Sequence, residues 1–325
     1  MKCSTWVSAT LFTSLFSLQV QAQTQTLTQA HNQEQEQLNT GQPGRLDLLT
    51  LEEKVANGQS FHTHQSEPVE PFRVLGNIYY VGASNVASWL ITSPDGHFLI
   101  DTGVQSMTGT IKNSVEALGF QLRDIKIILS SHAHFDHIQG HAIMKRMTGA
   151  QVFAMDADAD ALEAGQDLSP LGFEGWEPVQ VDRRLQDGEK VSLGGVSLTA
   201  TWAPGHSPGC TTWSMDTLDS GQTMRVVFFG CNGPNDGVQL INNPRFPTLV
   251  KDTLSGFDNM AKLHADIYLT GHPQGPFEGI EHLMRVQVRP HPLLRQQPWA
   301  EYIVDRKADF ERREQAEREL LRQRN

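Results

Sequence analysis

Ser131-His132-Ala133-His134-Phe135-Asp136-His137 places three histidines and an aspartate within six residues. Imidazole nitrogens suit zinc, and a carboxylate beside them suits a hydrolytic site with positions open to water. On an extended segment, residues two apart point the same way. His132 and His134 can therefore converge on one cation. Where the chain turns into a helix, Asp136 and His137 are redirected and can serve a second. A purely structural zinc site is the plainer alternative, but such sites normally use cysteines in closed coordination. Two more histidines follow expected strands: His206 in Pro204-Gly205-His206-Ser207-Pro208-Gly209, and His272 in Leu269-Thr270-Gly271-His272-Pro273. Each alone is an ordinary loop histidine. Beside the first cluster they complete six donors, enough for two sites of three.

The pattern of elements supplies the positions these residues need. Val, Ile, Tyr and Trp mark strands over 72–81 and 87–91, and Ser93-Pro94-Asp95-Gly96 turns the chain into a strand over 98–100. Helical spacing runs over 104–118 and stops at Gly119. The apolar run 125–129 is a buried strand leading into the histidine cluster. A helix over 138–147, a strand over 151–155 and a short helix over 157–163 follow, then an irregular loop over 165–181 carrying Phe173 and Trp176. The second half has strands at 190–191, 196–203, 211–215 and 225–229. An amphipathic helix spans 249–263, a short strand 267–269, and a charged helix with a solvated outer face 298–322. Strands alternating with helices in two blocks imply a layered α/β sandwich in one domain over 71–325.

The ends and the composition narrow the setting. Residues 1–22 combine Lys2, a mostly apolar stretch and Val20-Gln21-Ala22, the pattern of a cleaved secretory signal peptide, too short for a membrane span. Residues 23–70 are Gln-rich at first and read as largely disordered, apart from a short helix near 51–55. The chain has 325 residues, 26 basic and 37 acidic, with net charge −11. Such an acidic protein suits neither nucleic acid nor an anionic membrane as a partner. A soluble, periplasmic or secreted monomer acting on a small molecule is expected. Removal of the signal peptide takes Cys3 with it, leaving Cys210 and Cys231, so no disulfide-stapled scaffold is possible.

At His132 to His137 the sequence resembles the metallo-β-lactamase superfamily, whose His-x-His-x-Asp-His signature these residues reproduce. More narrowly, it resembles class B β-lactamases of the third subclass. That likeness also takes in Phe72-Arg73, Gly76-Asn77, Tyr79-Tyr80-Val81-Gly82, Gly205-His206 and Asn243-Pro244-Arg245-Phe246-Pro247. The resemblance implies a four-layer αββα sandwich and two Zn2+ ions, the first held by His132, His134 and His206, the second by Asp136, His137 and His272. It implies hydrolysis of the lactam amide of penicillins, cephalosporins or carbapenems, conferring antibiotic resistance, with Asp136 orienting the attacking water. Asp101, in Ile100-Asp101-Thr102-Gly103, resembles an aspartate that braces the metal loop; a plain turn aspartate is the alternative.

The departures concern cysteine. The subclass usually carries Ser where Cys231 stands, and other subclasses carry a zinc-binding Cys there. Cys231 is expected to line the site. A thiolate ligand or an inert buried thiol are the alternatives, and pairing with Cys210, itself read as a buried small residue, is open. Glyoxalase-type thioesterases, lactonases and phosphodiesterases of the superfamily usually have a bridging Asp at that place, which Cys replaces poorly. The subclass disulfide would join the positions of Ala265 and Ala300, so the last helix is expected to dock by packing alone. Asn235 resembles a substrate-binding position or is a turn asparagine. Phe173 and Trp176 either cap a substrate or anchor their loop. His141 is expected in packing or in support of the site, and His62 and His64 in a solvated loop. A non-catalytic zinc- or peptide-binding module is the remaining reading.

Overall fold

The structure, a computed structural model, describes residues 67–273 and 297–324, apart from Leu171, Phe173 and Glu174. The expected signal peptide, the Gln-rich stretch, the short helix near 51–55, His62, His64 and Phe173 lie outside these residues. Order was expected from near Pro71; among the described residues, pairing starts where Pro68 bridges Ala83. The single strand expected over 72–81 is a hairpin of β1 (Phe72–Leu75) and β2 (Ile78–Tyr80). It turns at Gly76, whose φ is +50° and where a Cβ would meet Thr217 Oγ1 at 2.1 Å. A side chain is excluded there on both counts.

The chain continues through β3 (Trp89–Ser93), β4 (Gly96–Ile100), α1 (Met107–Ala117) and β5 (Ile125–Leu129). Two short helices follow, α2 (Phe135–Ile138) and α3 (His141–Thr148), then β6 (Gln151–Met155), α4 (Asp156–Ala164) and β7 (Arg183–Leu185). The helix expected over 138–147 is thus divided at Gly140. A Cβ there would lie 2.8 Å from the Thr102 carbonyl, and the Gly140 N–H donates to the Gly103 carbonyl at 3.1 Å. That close backbone approach ties the break to the residues that follow β4. Strands β1 to β7 form one sheet in sequence order, antiparallel through β4 and parallel from β4 to β7.

The second sheet has the order β12-β11-β10-β9-β8. It comprises β8 (Lys190–Leu193), β9 (Val196–Trp202), β10 (Thr211–Asp219), β11 (Gln222–Phe229) and β12 (Ile267–Thr270), with only the β11–β12 pair parallel. Helices α5 (Leu249–Met260) and α6 (Trp299–Arg324) are the remaining α-helices among the described residues.

Period-two alternation sorts the first sheet into two faces. Trp89, Ile91, Phe98, Ile100, Ile127, Leu129 and Phe153 join one core with Leu198, Ala200, Trp213 and Phe228 of the second sheet. Leu90, Leu99, Ile128, Val152 and Ala154 join another with Met107, Ile111 and Val115 of α1, Met144 of α3 and Leu162 of α4. On the far side of the second sheet, Phe229 meets Trp299 and Tyr302 at centroid distances of 5.2 and 5.5 Å. Helix, sheet, sheet and helix therefore stack as the expected αββα sandwich. None of the helices in the described residues is long and apolar enough to cross a membrane.

The last helix docks by more than packing, which corrects the expectation. Trp299, Tyr302, Ile303, Phe310 and Glu317 are buried, a stripe of near-heptad spacing inside a charged sequence. The Glu317 carboxylate accepts the backbone N–H groups of Leu240 and Ile241 at 2.8 and 3.0 Å. One turn earlier, Arg313 donates to the carbonyls of Pro234 and Asn235 at 3.0 and 2.9 Å. The loop over 234–241 is thus held by a cation and an anion from one helix face. Replacing Glu317 by Ala strands two buried N–H donors and is expected to cost about 2–3 kcal/mol, read as a lower urea midpoint at unchanged m-value. Glu317→Gln, which keeps one acceptor, should lose less.

Candidate metal centre

Parallel pairing brings the chemistry to one edge. Ile100 of β4 pairs with Leu129 of β5, so the residues that follow, Asp101 and Ser130-Ser131, leave the sheet side by side. Phe229 of β11 pairs with Thr270 of β12, so Gly230 and Gly271 do the same, and the Gly271 N–H donates to the Phe229 carbonyl at 3.1 Å. Such carboxyl ends of parallel strands are where α/β folds collect ligands. His132 and His134 follow β5 on extended chain, with φ −115° and ψ 148° at His134. Helix α2 then carries Asp136 and His137, the β9–β10 loop carries His206, and His272 follows β12. The absence of a side chain at Gly271 admits the His137 ring, whose Cε1 would lie 2.9 Å from a Cβ there.

The six residues gather in two groups. Donor atoms of His132, His134 and His206 lie within 4.8 Å of one another, as do those of Asp136, His137 and His272. His132 and His137 link the groups, with ring centroids 4.1 Å apart. His272 remains half exposed, so the second group opens to solvent.

Hydrogen bonds set which nitrogen faces inward. Asp101 adopts φ +58° and is buried. Its Oδ1 accepts the Ser131 N–H at 2.7 Å, and its Oδ2 accepts the Ser131 hydroxyl at 2.6 Å and His137 Nδ1–H at 3.0 Å. Having donated its only proton to Asp101, the Ser131 hydroxyl accepts from His132 Nδ1–H at 2.9 Å. His206 Nδ1–H donates to the Gly233 carbonyl at 3.0 Å and His272 Nδ1–H to the Asn85 carbonyl at 2.9 Å. Each of these four rings therefore turns an unprotonated Nε2 away from its Nδ1 partner. His132 Nε2 is buried with no hydrogen-bond partner among the described residues. His137 Nε2 and His272 Nε2 lie 3.2 Å apart, with Asp136 Oδ2 at 3.7 and 3.5 Å from them. Two lone pairs and a carboxylate at such distances repel unless a cation lies among them. The donor set fits a metal.

Electrostatics agree with that reading. Burial and the neighbouring imidazoles push His132 and His206 well below the ordinary histidine range. Burial takes His134 down to about 4 and lowers His272. These rings are neutral at pH 7, the form that ligates. Burial also lowers His137, but Asp136 and the bond to Asp101 outweigh it and the net shift is upward. For Asp136, burial raises the carboxyl, yet the facing imidazoles, His137 foremost, hold it below its usual value and ionised.

Two supporting residues lie behind the centre. His141 is buried between Thr102 Oγ1 at 2.7 Å and Ser130 Oγ at 2.8 Å, joining the residues after β4 to those after β5. Burial lowers its pKa from 6.5 to about 4. Below pH 6.5 the unfolded chain takes up a proton that the fold refuses. Stability therefore falls by about 1.4 kcal/mol per unit as pH drops from 6.5 to 4, about 3 kcal/mol in all. Urea unfolding across that range should show this slope in the wild type minus His141→Gln difference. Asp158 has no place in the sequence-based site. It is buried on α4 and accepts from Ala133 N–H at 2.9 Å, the Ser207 hydroxyl at 2.6 Å and Gly209 N–H at 2.6 Å. It ties the His132–His134 segment to the His206 loop. Its only signal in the sequence is a shared helix face with the buried Ala161 and Leu162.

The remaining expected residues divide. Cys231 is paired with the buried Cys210, the pairing the sequence left open, their Cα atoms 6.4 Å apart and within bridging range. Neither cysteine is then an isolated buried thiol. Trp176 is buried with Val179 and Val181 in the helix-side core, the anchoring alternative. Asn235 is held through its backbone by Arg313, two residues beyond the Gly233 carbonyl that orients His206.

Comparison with known proteins adds to this geometry. Among solved structures, native FEZ-1 metallo-beta-lactamase from Legionella gormanii aligns with a TM-score of 0.73 and 33% identity, covering 78% of this chain and 98% of that one. BJP-1, a subclass B3 metallo-beta-lactamase of Bradyrhizobium japonicum, aligns with a TM-score of 0.70 and 32% identity over 80% and 98%. Curated relatives match shorter stretches. A hydroxyacylglutathione hydrolase of Methylobacterium nodulans is 29% identical over 105 residues, 32% of this chain and 34% of that protein. The human acyl-coenzyme A thioesterase MBLAC2 is 27% identical over 156 residues, 40% and 54%. The chain thus spans about a third to about half the length of these curated relatives. The family profile described as "Metallo-beta-lactamase superfamily" matches residues 81–272, the interval that runs from just after β2 to His272, the last of the six donors. With more than half of its length matched and its histidines gathered at the strand ends, the chain belongs to the metallo-beta-lactamase superfamily.

Proposed function

We propose that this protein is an exported zinc-dependent β-lactamase that opens the amide bond of penicillins, cephalosporins or carbapenems and protects its host from them. The observation that carries the substrate class is the likeness to β-lactamase structures along 98% of their length, at 32–33% identity. The two three-donor groups support hydrolysis. His132, His134 and His206 would hold one zinc ion, and Asp136, His137 and His272 a second. Bound there, zinc supplies Lewis acidity, which brings the pKa of water into the neutral range and polarises a carbonyl. The chain's own residues do the rest. Asp136, ionised and acceptor-only, orients the attacking water through its carboxylate. Asp101 fixes the His137 tautomer and the Ser131 turn. The half-exposed His272 marks the side from which substrate enters. Asn235 is proposed to meet the substrate, on the loop that Arg313 and Glu317 restrain.

Thioester hydrolysis is the second reading, favoured by the names of the curated relatives. Against it stand their short coverage and Cys231. Paired with Cys210, that residue cannot supply the bridging carboxylate expected of thioesterase members. Purified, zinc-loaded protein given a penicillin, a cephalosporin, a carbapenem, a hydroxyacylglutathione and a homoserine lactone decides between them. The β-lactamase reading requires kcat/KM for at least one β-lactam to exceed that for the thioester and the lactone by more than about tenfold. The reverse ranking removes it. Export is tested by N-terminal sequencing of the processed protein, which should begin at Gln23.

A further inference from the structure

His132 belongs to two clusters. One is the histidine group already described. In the other, a ring nitrogen of His132 and the sulfurs of Cys210 and Cys231 all lie within 4.8 Å of one another, and all three residues are buried. The chain brings them together from three places. Cys210 immediately precedes β10, and the Thr211 N–H donates to the Ser131 carbonyl at 2.7 Å. Cys231 follows β11 by two residues, after Gly230, where a Cβ would lie 3.1 Å from His132 Nδ1. The Ser131–His132 segment thus lies beside both cysteines. Among the described residues, Cys231 groups with His132 and Cys210, whereas Asp136, His137 and His272 form their own group.

We propose that reduction of the Cys210–Cys231 bond opens a thiolate metal site, made by Cys210, Cys231 and His132, that takes a zinc-class divalent cation and withdraws His132 from the histidine group. The inference rests on the proposed role of His132 as a ligand. The chemistry balances with a dithiol as reductant. The dithiol delivers two electrons and two protons to the sulfur–sulfur bond, which breaks into two thiols, while the dithiol closes its own disulfide. A divalent cation then displaces both thiol protons. Thiolates are softer donors than imidazole. Two of them also neutralise a 2+ ion in a dry pocket, where neutral histidines leave its charge uncompensated. The oxidised pair has no thiolate to offer, so His132 stays with His134 and His206. An oxidising compartment favours that state, and the pair acts as a redox gate on the first histidine group.

Cobalt(II) is the probe, added under anaerobic conditions to the full chain after the dithiol has been removed. Oxidised wild type, reduced wild type and the reduced Cys210→Ser/Cys231→Ser double variant are compared, the last subtracting any contribution from Cys3. The expected result is sulfur-to-cobalt charge-transfer absorption in reduced wild type only. With zinc in place of cobalt, both thiols should become protected from alkylation. The Cys210→Ser single variant cannot form the bond and should show one-thiolate absorption with no reductant at all, which keeps a readout should the reduced wild type lose its fold. Cobalt bound with ligand-field bands alone in every form overturns the inference and leaves the histidine sites standing. Absence of cobalt uptake in every form removes both. A bond that resists the dithiol in the folded protein also overturns the inference, because the site then never opens.

Discussion

Replacing His132 by Ala should lower β-lactam turnover by on the order of a thousandfold or more and reduce bound metal. His132 is the residue on which the first group closes. Its Nε2 is buried and has no hydrogen-bond partner among the described residues, and its ring lies 4.8 and 4.6 Å from those of His134 and His206. Removing it leaves two imidazoles, too few for a site that keeps zinc at catalytic concentrations. Asp101→Ala provides the graded control. It deletes the acceptor for Ser131 N–H, the Ser131 hydroxyl and His137 Nδ1–H but removes no proposed ligand. Partners of this kind typically contribute about 10–100-fold in metal affinity or activity. Asp101→Ala should therefore regain much of its activity in excess zinc, whereas His132→Ala should not. Equal loss in both, unrelieved by zinc, would mean that Asp101 is needed for folding rather than for holding the centre.

Asp158→Ala should destabilise the folded protein by about 3 kcal/mol. Three donors from two separate loops converge on this carboxylate: Ala133 N–H, the Ser207 hydroxyl and Gly209 N–H. A buried donor left without an acceptor costs about 1–3 kcal/mol. Part of that loss is offset because the variant no longer buries a charge; burial pushes the Asp158 carboxyl up to about 6 in spite of its donors. Leu162, one turn along the same helix, buries its side chain in the apolar core. Leu162→Ala should cost a similar 2–5 kcal/mol as a cavity, with metal affinity unchanged. Asp158→Ala should weaken metal binding as well, because it frees the His206 loop from the segment carrying His132 and His134. Chemical unfolding and metal titration of both variants separate the two effects.

The candidate site was legible where spacing alone orients side chains. Two histidines two apart on extended chain, then an aspartate and a histidine entering a helix, need no tertiary information to be read as donors. The assignment of His206 to the first group and of His272 to the second came through resemblance. The apolar run 125–129 was legible as a buried strand, whereas the opposite facing of alternate residues in Phe98-Leu99-Ile100 and Ile127-Ile128-Leu129 is seen only in the two cores they join. What stayed illegible depends on distant parts of the chain. Asp156, Asp158 and Asp160 are alike in a run of alternating Asp and Ala, and only the packing of α4 makes the middle one buried. The bond between Cys210 and Cys231 requires the pairing of β10 with β11 and the backbone bond from Thr211 to Ser131. The docking face of α6 was hidden by its charge. Arg313 and Glu317 look like members of a solvated run until Pro234, Asn235, Leu240 and Ile241 are placed against them.

The proposed function is that six side chains at one end of a two-sheet sandwich hold zinc in order to open β-lactams. Its most direct test is hydrolysis of a penicillin, a cephalosporin and a carbapenem by zinc-loaded protein, by the same protein after chelation, and after zinc is returned, with bound metal counted at each stage. The expected result is two zinc equivalents per chain, turnover of at least one β-lactam, its loss with chelator and its recovery with zinc. Absence of turnover for all three substrates with both zinc equivalents bound would contradict it.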